Sequence, residues 1–365
     1  MKVIAQTAAL QEALALAASI VAPRTPKPVL QCVKLVAAGK TLTLMATDLE
    51  VGGRFVVSQV EVQKEGEALV PVAKLADIVR ETSADALTIV CEKEACQITG
   101  GGARFKLLGF DPAEFPAVAD FEDGGDFQVG SEALAALVER TLFAAAKAHS
   151  HYAISGVLWE ASGKKLQLVA TDGHRLALAK AALGKAAARE VSAIVPSKLM
   201  ALLQRAAVGT EDTLAVKVSE TQILIRTARA VLISSLVQGH FPKYGDVIPR
   251  ECNRKANIPS GDFSHRIRQA ALLTSEESRG IRLAFSGEQL TLTSRSPETG
   301  EAEATMPVKF SGEPLEIAFN PTFLLDALKV VAADEVTMEF TAGNKPALLK
   351  VGTDFTYVVM PVDLT

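Results

Sequence analysis

The stretch LQLVATD, at residues 166–172, has two counterparts in the chain, LTLMATD at 42–48 and LTLTSRS at 290–296. Each stretch alternates apolar and polar residues, which is the pattern of a β-strand with one buried face. The last residues of the three stretches are 124 positions apart in both steps. This period is too long for a solenoid repeat and fits a whole domain, so the chain is predicted to contain three similar domains in tandem.

Helical patterns flank these strands in the same order in every repeat. A segment with apolar residues at helical spacing precedes the strands, and a second helical segment with a proline near its start follows them. The leading segments are 7–22, 131–146 and 260–273, and the following segments are 70–82, 195–207 and 319–331. Thr7 and Ser131 begin the first two leading segments, and both residue types are favourable N-caps. Further alternating strands close each repeat, so the predicted fold class is α+β.

Two stretches rich in proline, glycine and charge separate the repeats, at residues 109–125 and 240–261. A chain of 365 residues is too long for one ordinary core. The predicted domains are therefore residues 1–124, 125–250 and 251–365.

The composition, 48% hydrophobic and 22% charged, is that of a globular protein. A formal net charge of −4 argues against binding nucleic acid over the whole surface, but it leaves a local basic patch open. The four cysteines are scattered, and no nearby histidine completes a zinc site. We therefore expect no metal, and we expect the cysteines to be reduced thiols of a cytoplasmic protein.

The apolar run at residues 13–23 is similar to the core of a signal peptide. Only Lys2 supplies positive charge before it, and Gln11 and Glu12 precede it directly. The helical spacing of Leu10 and Leu14 favours an amphipathic helix instead. No stretch approaches the length of a membrane span.

Residues 171–175, TDGHR, bring a carboxylate, an imidazole and a guanidinium together. Asp172, His174 and Arg175 could serve a hydrolase as acid, base and anion clamp. On a strand, however, Asp172 and His174 would point to one face and Arg175 to the other. No nucleophile elbow, phosphate loop or metal-ligand cluster accompanies them. We therefore predict no catalytic residue and expect Asp172 to serve a turn or a hydrogen bond, with a hydrolase as the alternative.

Three elements together, VATDGHRLAL (169–178), GHFPKYGDVIP (239–249) and YVVMPVDL (357–364), resemble the bacterial DNA polymerase III beta subunit family, the sliding clamps. The likeness spans nearly the whole chain, and the family has the same threefold repeat. It implies three tandem clamp domains with antiparallel sheets outside and helices inside. Two protomers are implied to join head to tail into a ring around duplex DNA.

The resemblance also implies partners and excludes others. It implies sequence-independent binding to double-stranded DNA and binding of the DNA polymerase III alpha subunit, the clamp loader, and other polymerases and repair proteins with short linear motifs. It implies a cytoplasmic homodimer without cofactor, catalysis or membrane attachment. A scaffold of the same fold that never encircles DNA is the alternative binding function.

The resemblance implies three sets of functional residues in this chain. A hydrophobic pocket for partner motifs is implied at Ile154, Thr171, Gly173, His174, Arg175, Leu176, Pro242, Val247, Phe323, Val358, Met360 and Val362. DNA contacts, most of them on the helical segments, are implied at Arg24, Lys74, Arg80, Arg140, Lys147, His151, Tyr152, Lys198, Arg205, Arg266 and Arg268. The contact between protomers is implied at Lys74, Ile78, Phe105, Leu107, Leu272, Leu273, Glu298, Glu301 and Glu303.

Overall fold

The structure is a computed structural model that describes residues 1–22, 24–122, 124–147, 153–206, 213–274 and 280–363. Within these ranges six α-helices occur, two in each repeat. They are α1 (Thr7–Ile20), α2 (Val72–Glu81), α3 (Ser131–Leu142), α4 (Ser197–Ala206), α5 (Ser260–Ala271) and α6 (Pro321–Lys329). All six lie within the segments predicted to be helical.

The strands of the described residues make up most of the regular structure. The first half of them are β1 (Lys2–Gln6), β2 (Cys32–Ala38), β3 (Thr41–Thr47), β4 (Val51–Val57), β5 (Val60–Lys64), β6 (Gly66–Pro71), β7 (Ala86–Glu92), β8 (Ala95–Gly100), β9 (Ala103–Leu108), β10 (Phe127–Gly130), β11 (Gly156–Ser162), β12 (Lys165–Thr171) and β13 (Arg175–Ala182). The others are β14 (Val191–Pro196), β15 (Thr213–Val218), β16 (Gln222–Arg226), β17 (Ala230–Ser235), β18 (Arg254–Pro259), β19 (Ile281–Ser286), β20 (Gln289–Ser296), β21 (Gly300–Pro307), β22 (Lys309–Ser311), β23 (Leu315–Phe319), β24 (Glu335–Phe340), β25 (Ala347–Val351) and β26 (Phe355–Val359).

The chain divides into two compact units. The first unit comprises Met1–Ala135, Leu183–Val191 and Lys198–Leu236, and the second comprises the remaining residues. The first unit contains a five-stranded sheet in the order β5-β1-β7-β8-β9 and an eight-stranded sheet in the order β10-β15-β16-β17-β4-β3-β2-β6. The second contains a nine-stranded sheet, β14-β11-β12-β13-β26-β25-β24-β18-β22, and a four-stranded sheet, β21-β20-β19-β23.

Two of the four sheets are shared between repeats. In the first unit, β17 of the middle repeat pairs antiparallel with β4 of the first. In the second unit, β26 of the third repeat pairs antiparallel with β13 of the middle one. The middle repeat therefore contributes strands to both units. The three tandem α+β repeats are confirmed, whereas the predicted domain limits after residues 124 and 250 stay predictions.

Helix α1 confirms the expected amphipathic pattern at the N-terminus. Its apolar face buries Leu10, Leu14 and Ile20, and it packs against α2, β3 and β4. Helix α5 packs in the same way against α6, β20 and β21 of its own unit. The prediction that Thr7 is an N-cap is wrong, because the Thr7 hydroxyl donates to the carbonyl of Ala84 and Gln6 occupies the cap position.

The expectation that all cysteines are reduced thiols is wrong for Cys91 and Cys96, which form a disulfide. Only Lys93 and Glu94 separate β7 from β8, so the two cysteines face each other across the hairpin with Cα atoms 4.0 Å apart. Cys32 and Cys252 are free thiols, and burial raises the pKa of Cys32 to about 11. Within the described ranges, no helix is both long and apolar enough to cross a membrane.

Candidate functional site

The TDGHR segment is a tight turn between β12, which ends at Thr171, and β13, which begins at Arg175. The Asp172 carboxylate accepts the N–H groups of His174 (3.0 Å) and Arg175 (3.1 Å). The Thr171 hydroxyl donates to the Arg175 carbonyl (2.7 Å) and accepts the N–H of Gly173 (3.1 Å). Gly173 has a φ of 90°, a conformation that glycine adopts without strain. The expected turn role of Asp172 is confirmed.

The expectation that strand alternation separates Asp172 from Arg175 is wrong, because the turn reverses the chain between them. Arg175 Nε lies 3.0 Å from Asp172 Oδ2. The first repeat builds the same turn, in which Asp48 accepts the N–H groups of Glu50 and Val51. Val51 stands there at the position of Arg175. The turn is therefore general to the repeats, and the arginine is what distinguishes the second one.

The Arg175 guanidinium joins three elements of the second unit. It donates to Asp172, to Asp326 Oδ2 of α6 at 2.6 Å and to the Phe143 carbonyl at 2.9 Å. Its central carbon lies 4.6 Å from the ring centroid of Phe323 and 5.4 Å from that of Phe143, within cation–π range. Burial opposes its charge, but hydrogen bonds to Asp326 and other neighbours raise the pKa of Arg175 above its ordinary value. With only 11% of its side chain exposed, Arg175 forms a fixed, charged wall.

Two further contacts hold Phe323, one to its ring and one to its backbone. It stacks on His174 with ring centroids 6.3 Å apart and an interplanar angle of 20°. The Tyr357 hydroxyl donates to the Phe323 carbonyl at 2.9 Å. On the strand next to this turn, the N–H of Met360 donates to the His174 carbonyl at 2.9 Å. Phe323 and the end of β26 are thus both held against the TDGHR turn.

A cluster of apolar residues, which we call the apolar floor, lies on the strands that adjoin this turn. Leu176 and Val358 face each other across β13 and β26 and belong to one buried cluster. The segment 240–250 packs three partly buried side chains, Phe241, Tyr244 and Ile248, against the same cluster. In the same segment Val247 is 49% exposed, and after β26 Met360 is 39% exposed. Solvent-exposed apolar groups beside an ordered wall suit the apolar side chains of a peptide.

All twelve predicted pocket residues lie in the second unit. The contacts above connect the turn, the floor, Phe323 and Met360. Ile154 lies in a short 3-10 helix, Ala153–Ser155, and its carbonyl accepts the N–H of Ala146. The Val362 N–H donates to the Ala318 carbonyl. Sequence reasoning missed Asp326, although α6 carries an acid there while the matching position of α4 is Ala201. That difference between repeats was the available signal.

The predicted DNA-contacting residues are distributed over both units, and most are exposed. Arg24, Lys74, Lys147, Arg205 and Arg268 are exposed, whereas Arg140 and Arg266 are partly buried. Two others are engaged by neighbours. Arg80 pairs with Asp77 and Glu81, and the Lys198 ammonium pairs with Asp48 and donates to the Ile20 carbonyl at 2.5 Å. His151 and Tyr152 lie outside the described residues.

The predicted contact residues between protomers occupy the outer strands of two sheets. Phe105 and Leu107 lie on β9, the edge of the five-stranded sheet, and Glu301 and Glu303 lie on β21, the edge of the four-stranded sheet. The others flank these edges within their own units: Lys74 and Ile78 on α2, Leu272 and Leu273 directly after α5, and Glu298 before β21.

Strand β9 carries three further exposed residues that the sequence prediction did not include among the contact residues. Arg104, Lys106 and Leu108 are exposed, and Leu108 is 68% exposed. The alternation of charged and apolar residues in ARFKLL (103–108) was the signal for them.

Comparison with known proteins gives one consistent result. The N-terminal, central and C-terminal domains of the DNA polymerase III beta subunit match residues 1–119, 128–243 and 245–363, respectively. A beta sliding clamp of Pseudomonas aeruginosa is 34% identical over 364 residues, covering 98% of this chain and 99% of that protein. The beta sliding clamp of Escherichia coli K12 is 32% identical over 344 residues, covering 93% and 94%.

Solved structures agree over the full length of both chains. A P. aeruginosa sliding clamp bound to griselimycin superposes with a TM-score of 0.95 at 33% identity. The Bacillus subtilis sliding clamp superposes with a TM-score of 0.94 at 26% identity. The chain therefore belongs to the DNA polymerase III beta subunit family, and its function is that of a sliding clamp for this polymerase.

Proposed function

We propose that this chain forms a head-to-tail homodimeric ring that encircles duplex DNA, holds DNA polymerase III on it and catalyses no reaction itself. The observation that carries the proposal is a pair of complementary sheet edges, β9 and β21. Each is the outermost strand of its sheet within the described residues. Exposed edges of this kind are templates for pairing with another chain.

The pairings inside the chain indicate how these edges meet. Where β17 pairs with β4, Ile233 faces Gly52, and where β26 pairs with β13, Val358 faces Leu176. In the repeat pattern β9 corresponds to β17 and β26, and β21 corresponds to β4 and β13. The chain thus retains one unmatched strand of each type, at opposite ends of the repeat series.

The register of the missing pairing follows from hydrogen bonds and strand pairs. The Gly109 N–H bonds to the Glu94 carbonyl as the Leu236 N–H bonds to the Thr221 carbonyl. Lys106 is therefore the counterpart of Ile233. In β20 and β21, Arg295 faces Glu301 as Thr171 faces Leu176. Glu301 is therefore the counterpart of Leu176.

In this register Lys106 of one copy faces Glu301 of the other, and Arg104 faces Glu303. On the other face of the strands, the large Phe105 and Leu107 lie opposite the small Ala302 and Gly300. Opposite charges and matched side-chain sizes across an antiparallel pair both favour association. The remaining predicted contact residues would flank this central strand pair.

A contact between opposite ends of a chain is heterologous, and it produces either a ring or an open filament. Closure after two copies makes the second contact intramolecular, at an effective concentration on the order of millimolar. The ring then has two identical seams, and a clamp loader needs to open only one of them.

The exposed basic residues on and beside the helices would face the DNA backbone inside the ring. Such contacts go to phosphates and carry little sequence information. They weaken as salt concentration rises because counterions are released on binding. Retention on DNA is therefore assigned to ring closure rather than to adhesion.

The pocket of the second unit is the proposed docking site for partners. Structures of relatives bound to griselimycin support this assignment, as does the exposed apolar surface beside Arg175. Burying a leucine and a phenylalanine contributes about 1.5–3 kcal/mol each. After the cost of ordering a peptide, the expected affinity is roughly micromolar, about −8 kcal/mol. This strength lets the alpha subunit, the clamp loader, other polymerases and repair proteins exchange.

The contacts that Asp172 already makes argue against a hydrolase. Its carboxylate accepts two backbone N–H groups and pairs with Arg175, whose pKa is raised. A carboxylate bound to a permanent cation is a poor general base. No cofactor is proposed, and because the partner is chromosomal DNA, the proposed location is the cytoplasm.

Retention on DNA of different topology tests the proposal. The protein is loaded onto nicked circular DNA by its clamp loader and then transferred to high salt. We expect it to stay on the circle and to leave when a restriction enzyme linearises the DNA. Dissociation from the intact circle in high salt would support a scaffold that never encircles DNA, and so would equal retention on linear DNA.

A further inference from the structure

The segment at residues 240–250 presents two apolar residues outward while three others anchor it. Pro242 and Val247, both predicted pocket residues, are exposed. Phe241, Tyr244 and Ile248 turn inward onto the buried cluster that contains Leu176 and Val358. A short 3-10 helix, Tyr244–Asp246, separates the two exposed residues, and the Val247 N–H donates to the Tyr244 carbonyl. The position of Tyr244 therefore decides where Pro242 and Val247 stand.

Tyr244 is held by a closed network of polar side chains. Its hydroxyl donates to Glu160 Oε2 at 2.6 Å. Gln167 Nε2 donates to the same carboxylate oxygen at 2.7 Å and to the Tyr244 oxygen at 2.6 Å. Glu160 and Gln167 face each other across β11 and β12. Burial and the hydrogen bond to Glu160 raise the pKa of Tyr244 to about 12, so the hydroxyl keeps its proton at neutral pH.

The first repeat anchors the corresponding segment without such a network. Its sequence EFPAV (114–118) aligns with HFPKY (240–244), so Val118 is the counterpart of Tyr244. Val118 is 8% exposed and packs in an apolar cluster. Val36 and Thr43 are the counterparts of Glu160 and Gln167 and face each other in the same way. All three positions thus differ together between the repeats, and the polar set occurs beside the pocket.

Partly buried polar groups cost free energy unless they are all satisfied, whereas a satisfied network specifies one geometry. In the first repeat, the corresponding segment is anchored by apolar packing of Val118 and by Arg54, which donates to the Val118 carbonyl and pairs with Asp120. We infer that Tyr244, Glu160 and Gln167 are positioning residues that hold Pro242 and Val247 in place for an apolar peptide ligand. This inference rests on the proposed role of the pocket in docking partners.

Griselimycin is the probe for the test, and titration calorimetry with the full-length protein gives its Kd. Tyr244→Phe removes only the hydroxyl. We expect it to weaken binding about three- to tenfold, because part of the population then has a displaced loop. Glu160→Gln should weaken binding similarly, and the double variant should be no weaker than the weaker single variant, since the residues act in one network.

A second measurement separates positioning from general stability. Hydrogen exchange of the amides in 240–250 should accelerate in Tyr244→Phe, while amides of β12 and β13 keep the wild-type rate. Glu339→Gln is the matched control: it alters a sheet carboxylate paired with Lys350, on β24 five strands away from β11. It should change neither the Kd nor the exchange in the loop.

The inference requires both effects in Tyr244→Phe. A Kd within twofold of wild type overturns it, and so does weakened binding with unchanged loop exchange. Failure of the wild-type protein to bind griselimycin would instead remove the pocket assignment itself.

Discussion

Reversing one charge on β9 tests the proposed contact between protomers most directly. Arg104 and Glu303 are exposed, and neither forms an ion pair with another described residue. Glu301 is less suitable, because it already pairs with Arg295 of its own chain at 3.0 Å. In the derived register Arg104→Glu creates two like charges directly opposite each other at each seam.

The expected magnitude follows from cross-strand pair energies. Losing an attractive pair and gaining a repulsive one costs about 1 kcal/mol per seam. A ring of two copies has two seams, so the dimer loses about 2 kcal/mol, or roughly thirtyfold in Kd. Because both side chains are exposed, salt should reduce the effect. The measurement therefore belongs at low ionic strength and is repeated at high salt.

Sedimentation equilibrium over a range of concentrations gives the dimer Kd. The double variant Arg104→Glu with Glu303→Arg restores opposite charges and should recover most of the lost affinity. Lys64→Glu on β5, the other edge of the same sheet, is the control and should leave the Kd unchanged. If the double variant stays as weak as the single one, or the single variant associates normally, the register is wrong.

Three further outcomes are expected. Asp326→Asn should weaken griselimycin binding about tenfold without changing dimerisation, because it removes the ion pair that fixes Arg175 to α6; equal Kd values by calorimetry would contradict this. A thiol reagent should modify Cys252 before Cys32, because the raised pKa of Cys32 disfavours its reactive thiolate form. The denatured protein should show two free thiols before reduction and four after it, and four thiols before reduction would exclude the disulfide. Burial opposes the charge of Asp126, but hydrogen bonds from Arg189 and Val218 lower its pKa from the ordinary aspartate value. The carboxylate therefore contributes stability that is present above the ordinary aspartate pKa and is lost as pH falls through the lower folded-state pKa. Asp126→Asn should therefore be less stable at pH 7 and lose less stability on acidification, as measured by urea unfolding; parallel pH profiles would contradict this.

Local patterns predicted much of the fold. Helical periodicity and strand alternation depend on neighbouring residues, and for that reason α1 and the strands around Thr47 and Thr171 lie where the sequence indicates. The pairing of β17 with β4 could not be predicted, because it depends on which distant edge is available. The disulfide was missed for a related reason, since it follows from the hairpin register that sets Cys91 opposite Cys96.

In the candidate site, too, local features could be predicted from the sequence, whereas contacts between distant residues could not. The turn residues Thr171 and Asp172 were identified from a contiguous motif, and their hydrogen bonds are local. Asp326 and Tyr244 lie far from that motif in sequence, and they reach it only through tertiary packing of α6 and the 240–250 segment. A comparison of the three repeats with one another reveals both residues, because each differs from its counterpart.

The second and third repeats each donate their final strand to the sheet of the repeat before them. Expressing the repeats as separate fragments would therefore leave strand edges unpaired and produce fragments that aggregate, rather than stable domains. A middle repeat expressed alone would bear a donor strand at one side and a bare acceptor at the other, and copies would stack into open-ended fibres. The two compact units keep both shared strand pairs intact, but each combines separate segments of the chain, so no single cut of the gene would release either unit.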